Sequence, residues 1–111
     1  MILYKEISLL LEEYKAEDIV SLDVKNKSSV TDTMIIASGR STRHVKSISD
    51  NIIKKLKKAK VKPIGIGGYS ISEWVLIDFG DVLVHVMHPD AREFYSLEKL
   101  WDESLSNEQM I

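Results

Sequence analysis

Two apolar runs meeting at one glycine constrain this chain more than any other feature: Trp74-Val75-Leu76-Ile77-Asp78-Phe79 and Asp81-Val82-Leu83-Val84-His85-Val86-Met87 flank Gly80. β-branched residues crowd both runs, as in paired strands, and Gly80 can supply the positive φ of a tight turn. The stretch reads as a β-hairpin. With an even-length turn, Val75, Ile77 and Phe79 share a face with Val82, Val84 and Val86, because side chains alternate and cross-strand partners keep their parity. That face is wholly apolar and belongs in a core. The other face carries Trp74, Leu76 and Asp78 beside Asp81, Leu83, His85 and Met87. It is too polar for a core and too apolar for plain solvent, the mixture that meets a partner. A bulged, odd-length turn would swap the two sets.

The remaining chain supplies what such a hairpin must pack against. At 111 residues it is long enough for one domain with its own core, residues 1–111. It has no cysteine, so thiolate chemistry, zinc–thiolate sites and redox switching are excluded. Lys5, Glu6, Glu12 and Glu13 interrupt the apolar N-terminal residues, which argues against a signal peptide or a spanning helix; no membrane and a cytoplasmic location are expected. The formal net charge of -2 conceals a segregation. Nine basic residues between Arg40 and Lys62 face one carboxylate, Asp50, whereas from Pro63 onward Arg92 and Lys99 face nine carboxylates. That asymmetry suits either a charged partner such as a ribonucleoprotein surface or a solubilised helix face.

Leu3, Ile7, Leu10, Leu11 and Tyr14 recur at helical spacing and predict an amphipathic first helix. Ile19 to Val24 alternates as a half-buried strand, with Val20, Leu22 and Val24 on one side. Thr33 to Ser38 is short and nearly all apolar, the pattern of a central strand covered on both faces. Gly39 ends it, and Ser41 or Thr42 caps a long helix with a core stripe of Val45, Ile48, Ile52, Leu56 and Ala59. Pro63 stops that helix near Lys60. Ile64 to Gly68 reads as a short strand running into a glycine-rich bend. After the hairpin, Pro89 suits a first helical turn continuing to Trp101, with Phe94, Leu97 and Trp101, or else Tyr95, Glu98 and Asp102, facing inward. The order α-β-β-α-β-β-β-α predicts an α/β fold: a single-domain mixed β-sheet packed by helices.

Catalytic chemistry finds little support. Gly39-Arg40-Ser41 joins a central strand to a helix N-terminus, where backbone N–H groups can hold a phosphate. A nucleotidyl-transferring or nucleotide-binding enzyme using that turn is the alternative function. Such transfer needs two carboxylates one residue apart to hold magnesium, and neither Asp-x-Asp nor Glu-x-Glu occurs. The glycines at 65, 67 and 68 follow a helix and precede a strand, the reverse of a dinucleotide loop. His85 and His88, three apart on an extended chain, point to opposite faces and predict no metal site. No cofactor is expected. Asp78 and Asp81 are either turn caps or exposed groups suited to a basic partner.

Taken together, several blocks carry a likeness: Asp18 to Val24; Ser29 with Asp32 to Ser41; Arg43-His44-Val45; Trp74 to Met87; and Arg92 with Tyr95 to Trp101. Through them nearly the whole chain resembles the Iojap family of ribosomal silencing factors. It departs at Gly67, where many members carry Glu. The resemblance implies a nucleotidyltransferase-like fold without catalytic carboxylates, and binding in place of chemistry. It further implies docking on ribosomal protein fourteen of the large ribosomal subunit, which blocks subunit joining and represses translation under nutrient limitation, as in stationary phase. By position it assigns partner contact to Trp74, Leu76, Asp78, Asp81, His85, Met87, Arg92, Tyr95 and Lys99. Sequence-specific nucleic-acid binding is not expected. An exposed hairpin edge would permit a homodimer.

Overall fold

The structure, a computed structural model, describes residues 2–101. Its elements are α1 (Leu3–Glu13), β1 (Glu17–Asp23), β2 (Thr33–Ser38), α2 (Thr42–Lys58), β3 (Gly65–Gly67), β4 (Trp74–Asp78), β5 (Val82–Met87), α3 (Pro89–Tyr95) and α4 (Leu97–Trp101). The five strands form one sheet in the order β1-β2-β5-β4-β3. β2 and β5 run parallel, and the other neighbours are antiparallel. The expected mixed sheet packed by helices is therefore present.

The hairpin settles its own register. Val75 pairs with Val86 and Ile77 with Val84, and Phe79 N–H donates to the Val82 carbonyl, so the turn is the two residues Gly80 and Asp81. Gly80 has φ +88°, which suits the first position of such a turn. The even-length alternative holds. Val75, Ile77, Phe79, Val82, Val84 and Val86 face the main core, which Ile7, Leu10 and Leu11 of α1 and Val45, Ile48, Ile52 and Leu56 of α2 close.

β2 lies between two cores. Ile35 and Ala37 join the main one, while Met34 and Ile36 form a smaller cluster with Val24 and Met87 on the opposite face. Among the described residues, Leu22, Trp74, Ala91 and Leu97 lean on that second cluster, so α3 and α4 each contribute one side chain to it.

Four expectations change. Ala59 is exposed at the C-cap of α2, one residue beyond the buried stripe. Ile19, on the side of β1 opposite Leu22 and Val24, packs partly against the main core, so the strand meets apolar side chains on both faces while its alternation holds. The C-terminal helix splits at Ser96, whose left-handed φ of +48° ends α3 before α4 begins; Leu97 turns inward while Phe94 points out. Trp101 and Asp102 lie outside the residues whose side chains are described. Finally, the hairpin offers no free edge: β5 pairs with β2 and β4 with β3, so the open edges are β1 and β3.

Candidate functional site

The mixed face of the hairpin centres on Trp74. Its indole Nε1–H donates to His85 Nδ1 at 2.9 Å, across the two adjacent strands. Its ring lies 4.6 Å from that of Tyr95 at 46°, and Tyr95 meets Phe94 edge-on at 5.1 Å and 80°. Tilted and edge-on pairs satisfy the ring quadrupoles. A chain of three aromatic rings thus runs from the sheet to solvent: Trp74 is half-buried, Tyr95 is 49% exposed and Phe94 is 82% exposed. An open cavity of about 410 Å³ lies beside it, lined by Glu73, His88, Ala91, Phe94 and Tyr95 among others.

His85 underlies the anchor. It is 5% exposed, and burial pushes its pKa down to about 4 from 6.5, so the ring is neutral near neutral pH. Because Nδ1 accepts from Trp74, the proton sits on Nε2, which has no hydrogen-bond partner. The imidazole is spent on orienting an indole and stays neutral until well below pH 7.

Several sites inferred from sequence sit elsewhere than on an open surface. Leu76, half-buried, pairs with His85, and the exposed side chain of Asp81 stands at the turn. Asp78 accepts from the Gly80 N–H at 2.8 Å, so its carboxylate caps that turn. Met87 is fully buried in the second cluster and supports the face from below. Arg92 is engaged internally: Nε donates to Glu98 Oε1 at 2.8 Å and Nη1 to Ser38 Oγ at 3.0 Å, with only 10% of the side chain exposed. It pins α3 and α4 to the end of β2. Lys99 is exposed on α4. Phe94, which one of the two inward sets contained and the predicted contacts did not, points outward, and the break at Ser96 separates it from Leu97.

The turn before α2 has few donors to offer a phosphate. Gly39 N–H is taken by the Met87 carbonyl, Arg40 N–H by His44 Nδ1 at 2.9 Å and His44 N–H by Ser41 Oγ at 3.1 Å. His44 Nε2 completes the relay at the Tyr14 carbonyl, 3.0 Å away. Among the described residues, no three His, Asp or Glu side chains converge as metal ligands, and no helix is long and apolar enough to cross a membrane.

Residues 3–110 match the family described as "ribosomal silencing factor during starvation". The chain is 47% identical over 91 residues to the ribosomal silencing factor of Haemophilus influenzae, covering 82% of this chain and 89% of that one. It is 38% identical over 98 residues to the mouse "mitochondrial assembly of ribosomal large subunit protein 1", spanning 86% of this chain and 42% of that protein. A crystal structure of a Chromobacterium violaceum protein superposes with a TM-score of 0.83 at 44% identity, covering 87% of this chain and 84% of that one. Sequence and fold agree, and the chain belongs to the ribosomal silencing factor family.

Proposed function

We propose that the protein represses translation by docking on the large ribosomal subunit through ribosomal protein fourteen, where it sterically prevents the small subunit from joining when nutrients are scarce. The exposed aromatic chain from Trp74 through Tyr95 to Phe94 carries this reading. A rigid aromatic anchor beside aliphatic and charged groups is the composition of a binding hot spot, and three rings held by one another lose little freedom on docking. Leu76 extends the apolar patch, and Asp78, Asp81 and Lys99 give it a charged rim. His85 and Met87 act beneath, by holding Trp74 and the strand, and Arg92 acts by fixing the helices that present Tyr95. Exclusion of a second subunit from an occupied surface requires no catalytic group. The name of the mouse relative, which refers to assembly of the large subunit, supports the choice of subunit. The cytoplasm is the matching compartment.

Cosedimentation with purified large subunits tests the reading. Phe94→Ala removes an exposed ring without touching the core, and Leu76→Lys places a charge in the patch; each lowers the bound fraction at least about tenfold, as loss of a hot-spot contact does. Lys54→Glu with Lys57→Glu, on the far side of the sheet, leaves it unchanged. If both hairpin-face variants keep their wild-type melting curves and still cosediment like wild type, the interface lies elsewhere.

A further inference from the structure

A second surface lies at the β3 edge of the sheet, beside the hairpin and on the α2 side, and the hairpin's role does not use it. Among the described residues β3 bonds to β4 alone, so its other edge is a free row of backbone groups. The Ile64 N–H bonds to the Asp78 carbonyl, which extends the paired stretch to Ile64. A Cβ placed on Gly65 would meet nothing within 4 Å, so the strand's backbone is open to approach. Ile64 and Ile66 are nonetheless 74% and 45% exposed, an unusual loss of apolar burial on an edge. Beside this edge runs a groove of about 510 Å³ between β3 and the outer face of α2. Ile53, Ile66 and Tyr69 line it together with Lys54 and Lys57. Tyr69 is clamped across one end: its hydroxyl bonds to Asp50 and its ring lies under the Lys46 ammonium, 5.4 Å from the centroid.

We infer that this edge and groove bind an extended acidic peptide segment of a partner protein by strand addition to β3. Main-chain hydrogen bonds to an exposed edge supply affinity, and alternate side chains supply specificity. Residues i and i+2 of an added strand point to the same side. On the α2 side an apolar residue meets Ile53 and Ile66, and a carboxylate two residues on meets Lys54 and Lys57. The charge pattern selects this occupant. Asp50, the one carboxylate lining the groove, accepts from Tyr69 and keeps its charge, and against it Lys54 and Lys57 give the lining a net positive charge. Single-stranded RNA fits less well: the Tyr69 ring is already under a lysine and tied to Asp50, so it is not free to stack a base. A second copy pairing β3 to β3 would set its lysines against the same lysines, which is repulsive.

A fluorescein-labelled octapeptide, Val-Thr-Glu-Thr-Val-Thr-Glu-Thr, places valine and glutamate at i and i+2 and serves as probe; its counterpart carries lysine for glutamate. Fluorescence anisotropy with the full chain should show saturable binding of the glutamate peptide, weakened about tenfold by Lys54→Glu with Lys57→Glu, two exposed changes that leave the core intact. The lysine peptide should bind the reversed variant better than the wild-type chain. Slowed amide exchange in residues 64–67 on binding marks the added strand. Equal affinity for the two peptides, no binding of the glutamate peptide, or binding without protection at β3 overturns the proposal. So does its displacement by oligouridine, which would make this a nucleic-acid surface, or a concentration-dependent dimer abolished by the charge reversal, which would make it a self-association face.

Discussion

Acidification should loosen the Trp74 anchor, and the size of the effect follows from His85. Its pKa is about 4 in the fold against 6.5 outside it, because the buried ring resists charging. Between those values the unfolded chain binds more protons than the folded one, so stability rises with pH. The contribution is complete above about 6.5 and is lost as pH falls through 4. Integrating the difference, about 2 kcal/mol is gone by pH 5 and about 3 kcal/mol by pH 4. The loss has a structural correlate. Protonated imidazole has two donors and no acceptor, so Nδ1 can no longer receive the Trp74 indole N–H. The comparison is His85→Phe, which fills the same buried position, removes the unpartnered Nε2 and leaves the half-buried indole N–H to water. Urea unfolding at pH 7.5, 6, 5 and 4 is measured for both proteins. Carboxylate titrations are common to the two and cancel in the difference. The wild-type chain should lose about 3 kcal/mol more than the variant between pH 7.5 and 4, and the indole N–H resonance of Trp74 should shift along the same curve. Parallel stability profiles for the two proteins would refute the reasoning, since His85 would then carry no acid-sensitive stability.

Other positions give sharper single-residue tests. Ser41→Ala removes the side chain that accepts from His44 N–H at the start of α2 and should cost about 1 kcal/mol in urea unfolding. Gly39→Ala would put a methyl 2.8 Å from the Val45 backbone nitrogen and side chain, so α2 must shift; a loss of about 1–3 kcal/mol is expected by thermal melting. Arg92→Leu breaks the bonds to Glu98 and Ser38, and should cost about 1–3 kcal/mol while speeding amide exchange in residues 89–99 before global unfolding.

Local periodicity made much of this fold legible. The hairpin, the doubly covered β2 and the stripe on α2 each rest on a pattern of period 2 or 3.6 that a single element displays. What could not be read was set by distant partners. The place of the hairpin within the sheet depends on β2 and β3 flanking it, 40 residues and a few residues away in the chain, so its edges looked free when both are paired. Ser96 adopts a glycine-like φ with no glycine to announce it; the break is held by its own N–H on the Arg92 carbonyl, by Arg92 reaching Ser38 and by Leu97 burying against the second cluster. Phe94 and Leu97, which share one of the two inward sets, point apart for the same reason. The composition of the mixed face was visible, whereas the burial of His85 was not, because a buried histidine becomes affordable only when Trp74 supplies the donor for Nδ1.

That pairing explains how one sheet can hold a core on one side and a partly open aromatic face on the other. The apolar face is closed by α1 and α2. Among the described residues the second face is covered less, since the short α3 and α4 meet it through Ala91 and Leu97. Its polar residues are therefore neutralised one by one: His85 as a neutral acceptor, Asp78 as a turn cap, Arg92 as a tie between helices. Of these bonds the one from Trp74 to His85 supports an aromatic ring, while those of Asp78 and Arg92 hold the hairpin turn and the two short helices. At the turn before α2, Met87, His44 and Ser41 likewise take the N–H groups of Gly39, Arg40 and His44. Among the described residues, the large surface left unspent on this side is aromatic and aliphatic, running from Trp74 and Leu76 to Phe94, and such a surface gains free energy by adhesion to a partner.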